Sequence, residues 1–121
     1  MLARELLEFD RMAEEYVYMA ALNGKGRLLG ISLISKGTVN CSLIAPREIF
    51  IRALLVGASQ ILLMHNHPSG SITPSSEDLK MTERIKEAGE LVGVELADYI
   101  IIAANGEAFF LFQKRMVIGG L

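Results

Sequence analysis

The sequence has a single cysteine, Cys41, among its 121 residues. One thiol cannot form a disulfide within the chain, and this fits a reducing compartment, so we expect a cytoplasmic protein. No run of about 18 apolar residues occurs, so we expect no membrane span. Charges at Arg4, Glu5 and Glu8 interrupt the apolar stretch that a signal peptide needs.

A strong net charge is also missing. The formal net charge is -2 and the pI is about 5.7, so nothing predicts a broad basic surface for nucleic acid. A local basic groove remains compatible with this balance, but the charge does not support DNA as a partner. Apolar residues make up 51% of the chain, enough for a real core. The length fits one domain over residues 1–121.

The only two histidines, His65 and His67, follow a short apolar run at 60–64 that is typical of a buried strand. Side chains two residues apart on a strand point to the same face, so both imidazoles can share a metal ion. Pro68 then breaks the strand, and a helix is predicted from Ser75 with Asp78 in its first turn. Two imidazoles and a carboxylate that leave a fourth position open for water are typical of a catalytic zinc site.

Each part of this pattern also has a purely structural interpretation. Two neighbouring histidines are often satisfied or exposed without any metal. Ser75-x-x-Asp78 is by itself a helix capping box, with Asp78 in place of the usual glutamate. The combination, with both histidines at one strand end, favours the metal site.

Turn signals and apolar periodicity predict an α/β fold. Two Asn-Gly turns, at Asn23 and Asn105, predict antiparallel hairpins, while strands and helices otherwise alternate along the chain. We therefore expect a mixed sheet. Strands are predicted at 15–22, 28–35, 38–43, 61–64, 96–103 and 107–112, and helices at 1–12, 45–57 and 75–91.

The spacing His65-x-His67-Pro68, six residues, then Ser75-x-x-Asp78 matches the signature of the JAMM (MPN-plus) metalloproteases. The residues at 65–70, His-Asn-His-Pro-Ser-Gly, resemble the RadC family, whose members were named as DNA repair proteins. Segments 37–40, 46–50 and 90–94 also resemble RadC. The resemblance covers nearly the whole chain. It implies a JAB/MPN (JAMM, cytidine deaminase-like) domain with flanking helices, and the helical DNA-binding-like segment of the family is expected to be absent here.

The same resemblance implies that His65, His67 and Asp78 bind Zn²⁺, and that a glutamate on an early strand is the general base. The matching residue is Glu15, at the start of the first predicted strand. Glu14, its neighbour, is predicted to point to the opposite side. Glu14 remains an alternative base. Glu48, in the helix predicted at 45–57, is another, although a carboxylate near a helix N-terminus is already explained by its favourable interaction with the helix dipole.

Two further residues have competing interpretations. In the family pattern the side chain of Ser75 stabilises the oxyanion, which competes with its role as a helix cap. Cys41 is interpreted as a buried structural cysteine rather than a soft fourth metal ligand.

The resemblance implies a zinc-dependent hydrolase in which activated water attacks a peptide or isopeptide-like amide. Two alternatives stay open: a DNA-repair accessory or DNA-binding module with a structural metal, and a metal-dependent nuclease, since activated water also attacks phosphodiesters. The substrate, an unknown protein or peptide, and the oligomeric state do not follow from the sequence.

Overall fold

The computed structural model describes residues 14–37, 39–68 and 70–112. The helix predicted at 1–12 lies outside the described residues. Five strands are β1 Glu15–Leu22, β2 Leu28–Gly37, β3 Gln60–His67, β4 Glu95–Ala103 and β5 Ala108–Phe110. They form one sheet in the order β2-β1-β3-β4-β5. Strands β3 and β4 are parallel and the other neighbouring pairs are antiparallel, so the predicted mixed sheet is confirmed.

Both predicted hairpin turns are present. In the first, the Asn23 side chain accepts hydrogen bonds from the backbone N–H groups of Lys25 and Arg27, each at 2.9 Å. In the second, the Asn105 side chain accepts the backbone N–H of Glu107 at 2.9 Å. Such side-chain contacts to the backbone two residues on are the reason asparagine favours turns.

Two α-helices, α1 Pro46–Leu55 and α2 Ser76–Val92, pack on one face of the sheet. Gly93 ends α2 in the left-handed conformation at φ 80°, which favours glycine. The buried cluster between helices and sheet contains Val17, Met19, Ala21, Ile61, Leu63, Tyr99 and Ile101 from strands and Ile49, Phe50, Ala53, Met81 and Ile85 from helices. Among the described residues, neither helix has the length and apolarity to cross a membrane.

One strand prediction is wrong. Within 38–43, the structure has a short 3-10 helix at Cys41–Leu43, and residue 38 lies outside the described part. The Asn40 side chain accepts the backbone N–H of Ser42 at 3.0 Å, so this local cap competes with an extended conformation. A second difference concerns β3, which continues through His67, so both histidines lie within the strand.

Gly89 of α2 provides a test of helix packing. A Cβ at this position would lie 2.2 Å from the Val94 carbonyl oxygen and 3.3 Å from the Phe50 ring. We expect Gly89→Ala to lower the free energy of unfolding by roughly 1–3 kcal/mol, the usual cost of overpacking. Urea denaturation measures the change. Gly30→Ala is the matched control, because a Cβ there meets nothing within 4 Å; equal stability of the two variants would contradict the packing described.

Candidate metal centre

The predicted ligands meet in an open cleft of about 1020 Å³ at the end of β3. The cleft is bounded by β1, β3, the N-terminus of α2 and the segment that follows β2. Its lining residues are Glu14, Glu15, Gly37, Val39, Asn40, Cys41, His65, His67, Pro68, Ser75, Glu77 and Asp78. His65 and His67, near the end of β3, therefore line the cleft.

His65 and His67 lie on the same face of β3, as their spacing predicts. Their ring centroids are 4.7 Å apart and the rings are perpendicular. His65 pairs with Val17 of β1 and is buried, whereas the side chain of His67 is 14% exposed. Both histidines thus line the cleft, and His65 is the more deeply buried of the two.

Asp78 is held in the first turn of α2 by a complete capping box. The Ser75 side chain accepts the Asp78 backbone N–H at 3.0 Å, and Asp78 Oδ2 accepts the Ser75 backbone N–H at 2.8 Å. The same Oδ2 lies 3.6 Å from His67 Nε2. The Asp78 carboxylate therefore caps α2 and also lies beside His67. The interpretations of Ser75-x-x-Asp78 as a capping box and as part of a metal site are compatible.

Hydrogen-bond partners fix the tautomer of His67. Its Nδ1 lies 2.9 Å from the Ser71 carbonyl oxygen. A carbonyl oxygen only accepts, so Nδ1 carries the proton. Consequently a neutral His67 has its lone pair on Nε2, which faces Asp78.

The tautomer of His65 follows from Tyr99 on β4. The Tyr99 hydroxyl donates to Asp78 Oδ1 at 2.7 Å, and burial, followed by the neighbouring Asp78 charge, raises the pKa of that hydroxyl. Its single proton is used by this bond, so the hydroxyl oxygen can only accept from His65 Nδ1 at 2.7 Å. The lone pair of a neutral His65 is therefore on Nε2, which lies 3.1 Å from Glu15 Oε1.

Electron-pair donors thus converge on the cleft. Nε2 of His65 faces Glu15 Oε1, and Nε2 of His67 faces Asp78 Oδ2. Atoms that carry only lone pairs repel one another unless a proton or a metal ion lies between them. Imidazole nitrogens and carboxylate oxygens are the kinds of donor that zinc and related divalent ions take in proteins. Among the described residues, the group whose ligand atoms all lie within 4.8 Å of one another is Cys41, His65 and Asp78.

The carboxylate of Asp78 is buried, at 1% exposure, and remains charged. Burial alone raises the pKa of this carboxyl. The nearby Nδ1–H of His65, together with hydrogen bonds from the Ser75 backbone, Tyr99 and Cys41, outweighs burial and holds the pKa below its usual range. An ionised ligand is therefore present in the cluster at neutral pH.

Cys41 also lines the cleft and contacts the Asp78 carboxylate. Its ligand atom and those of His65 and Asp78 all lie within 4.8 Å of one another, close enough to hold a metal ion. However, Cys41 Sγ donates to Asp78 Oδ1 at 3.2 Å, and this oxygen lies 3.3 Å from His65 Nδ1, the nitrogen committed to Tyr99. Burial, then the hydrogen bond to Asp78, raises the pKa of the thiol to about 12.

The three candidate bases occupy different positions. Glu15 contacts His65 directly, and its side chain is one-third exposed at 33%. Glu14, which the alternation of strand side chains predicted to point to the opposite side, lines the same cleft because it precedes β1. Glu48 is exposed in the first turn of α1 and lines a separate depression with Ser35 and Leu43. Among these three, the structure places Glu15 against a predicted metal ligand.

The sequence did not indicate a role for Tyr99 or Asn66 in this site. Tyr99 lies in a strongly apolar strand, where an aromatic residue is usually part of the core. The one available signal is its polar neighbour Asp98, which interrupts the apolar run.

Comparison with protein families agrees with this geometry. The family model described as RadC-like JAB domain matches residues 1–117. The chain belongs to the RadC family. The five-stranded mixed sheet with two helices on one face is consistent with a JAB domain.

Relatives of this RadC-like JAB domain are known from several bacteria. It is 46% identical over 91 residues to a UPF0758 protein of Finegoldia magna, covering 75% of this chain and 41% of the relative. Identity to the UPF0758 protein of Alkaliphilus metalliredigens is 45% over 110 residues, covering 91% and 47%. For that of Clostridium beijerinckii it is 43% over 111 residues, covering 92% and 48%. The chain spans about half the length of these relatives.

The Tyr99 hydroxyl bridges two predicted ligands, so its removal should weaken metal binding. Loss of such an outer hydrogen bond typically costs about 10- to 100-fold in metal affinity, and we expect this range for Tyr99→Phe. Competition of the purified protein with a chromogenic zinc chelator measures it. Tyr18→Phe is the control, because Tyr18 packs against the opposite face of the sheet. A Tyr99→Phe affinity equal to that of the wild type would refute the bridging role.

Proposed function

We propose that this RadC-like JAB domain is a zinc-dependent hydrolase that cleaves a peptide or isopeptide-like amide. The observation that carries the proposal is the convergence of two imidazole Nε2 atoms and two carboxylates on one open cleft. His65, His67 and Asp78 are the proposed ligands. When bound, zinc supplies Lewis acidity that makes a water molecule nucleophilic near neutral pH.

His67 is preferred to Cys41 as the third ligand on geometric grounds. Nε2 is the His65 nitrogen that would bind a metal, and Nε2 of His67, 3.6 Å from Asp78 Oδ2, would be the further nitrogen ligand. Cys41 contacts Asp78 Oδ1, next to the Nδ1 side of His65. Use of His67 rather than Cys41 as the third ligand would leave the hydrogen bonds of Tyr99 and Cys41 to Asp78 Oδ1 in place.

Glu15 is the proposed general base. Its Oε1 lies at the Nε2 side of His65, within the cleft and partly exposed to solvent. At this position Oε1 takes a proton from the attacking water and returns it to the leaving nitrogen, as amide hydrolysis requires. The carboxylate needs no movement of the backbone to reach the cleft.

Ser75 can combine its two proposed roles. Its Oγ accepts the Asp78 backbone N–H with one lone pair, and the hydroxyl proton remains available as a donor. Ser75 lines the cleft, so this proton can stabilise negative charge on the substrate carbonyl oxygen while the helix cap stays intact.

The charge of the cleft favours an amide over a phosphodiester. Four acidic side chains line it, those of Glu14, Glu15, Glu77 and Asp78, and none of its described lining residues is a lysine or arginine. The four carboxylates exceed the charge of one bound Zn²⁺, so the remaining negative charge would repel an anionic backbone but not a neutral amide. The observation supports the peptidase proposal over the nuclease and DNA-binding alternatives.

Elemental analysis separates the two possible ligand sets. We expect about one zinc per chain in the wild type, as for other three-ligand sites, and its loss in His65→Ala, His67→Ala and Asp78→Ala. Cys41→Ala should retain zinc and is the matched control within the same cluster. Zinc lost from Cys41→Ala but kept by His67→Ala would show that the ligands are Cys41, His65 and Asp78.

Replacement of the base tests the reaction. Glu15→Gln should keep zinc and the fold, because Glu15 is not a proposed ligand, and should lower kcat by roughly 10²- to 10⁴-fold. Turnover is measured on a panel of peptide and isopeptide substrates with zinc present. Glu14→Gln is the control and should change kcat far less. Full activity of Glu15→Gln on a substrate that the wild type cleaves would remove Glu15 from the mechanism.

A further inference from the structure

Asn66, the residue between the two histidines, is buried at 1% exposure and does not line the cleft described above. Alternation along β3 directs its side chain to the face opposite that of His65 and His67. There the amide reaches the first residues of β1, which lie about 50 positions earlier in the chain.

The Asn66 amide makes two hydrogen bonds to the backbone at the start of β1, one to Tyr16 and one to Glu14, the residue before the strand. Its Oδ1 accepts the Tyr16 N–H at 2.6 Å, and its Nδ2 donates to the Glu14 carbonyl oxygen at 2.8 Å. A backbone N–H only donates and a carbonyl only accepts, so the orientation of the amide is fixed by its partners. A carboxylate or a hydroxyl in its place cannot satisfy both at neutral pH with this geometry.

These bonds replace backbone pairing on the β3 side of β1, whose other side stays paired with β2 as far as Glu15 and Gly37. The ladder between β1 and β3 stops at the pair Val17 and His65. Beyond it, the amide of Asn66 fixes the backbone groups of Glu14 and Tyr16. The two fixed groups lie on either side of Glu15, so the peptide units before and after this residue are both immobilised.

We propose that Asn66 is a positioning residue that holds Glu15 against His65. The catalytic meaning of this inference rests on the proposed function, in which Glu15 is the base. The two hydrogen bonds of Asn66, called the clamp below, keep Glu15 Oε1 at 3.1 Å from His65 Nε2. Asn66 does this without contact with the proposed ligand atoms. Asn66 therefore acts on the orientation of the base and not on metal binding.

A double-mutant cycle tests the proposal. Asn66→Ala should retain zinc and should lower kcat by about 100-fold with little change in KM, since misplacing a catalytic group by about 1 Å can cost this much. In the Glu15→Gln background the same change should have no further effect on kcat, because the group being positioned is already inactive. A loss of kcat that persists undiminished in that background, or a loss of zinc, would overturn the proposal.

Asn66→Asp is the second variant in case Asn66→Ala fails to fold. It has the same size and keeps the acceptor for the Tyr16 N–H, but it places a carboxylate oxygen against the Glu14 carbonyl. Its loss of kcat should also vanish in the Glu15→Gln background, and persistence would count against the clamp. Asn23→Ala is the matched control. It removes another asparagine that holds the backbone, far from Glu15, and should leave kcat unchanged.

A structural measurement separates this inference from the proposed function. In crystals of the metal-free Asn66→Ala or Asn66→Asp protein, Glu15 Oε1 should no longer lie within hydrogen-bond distance of His65 Nε2. Glu15 retained at its wild-type position would refute the clamp whatever the enzyme does. If instead the wild type cleaves no amide substrate while the variants displace Glu15, the proposed function fails and the positioning role stands.

Discussion

The buried carboxylate of Asp78 is the interaction on which the site depends. Its Oδ2 completes the cap of α2 through Ser75, and its Oδ1 accepts hydrogen bonds from Tyr99 on β4 and from Cys41. A buried charge is strongly unfavourable unless donors or a cation surround it. The N-terminus of α2 therefore cannot move away from β4 without taking that charge away from the Tyr99 hydroxyl. Helix position, sheet position and ligand position are linked by one side chain.

The two nitrogens of each histidine have separate functions. Nδ1 is used for anchoring, to Tyr99 for His65 and to the Ser71 carbonyl for His67, which leaves Nε2 for the cleft. This division is the usual arrangement around metal-binding histidines. The anchors differ in kind, because the partner of His65 is a core side chain and the partner of His67 is a loop carbonyl. The geometry of His65 is consequently set by the sheet, and that of His67 by the turn after β3.

Local spacing was sufficient to predict much of this molecule. Patterns among residues close in sequence predicted the mixed sheet and both Asn-Gly hairpins. They also predicted that Asp78 lies in the first turn of the helix after the histidines. Tyr99 and Asn66 could not be found in this way, because their contacts span 34 and about 50 residues and their roles appear only when β4 and β1 flank β3. The strand predicted at 38–43 was wrong for the opposite reason. There a local contact from Asn40 to Ser42 outweighs the strand propensity of the surrounding residues.

The alternation of side chains along His65, Asn66 and His67 gives the register of β3 an unusual importance. A slip of one residue against β1 would turn both histidines away from the helices and direct the asparagine into the cleft. Most slips in a sheet expose apolar side chains and are opposed by the hydrophobic effect alone. Here the same slip would also take both histidines away from the Asp78 carboxylate and release the start of β1. Correct strand alignment is therefore enforced by polar contacts at the very end of the strand, where fraying would otherwise be easiest.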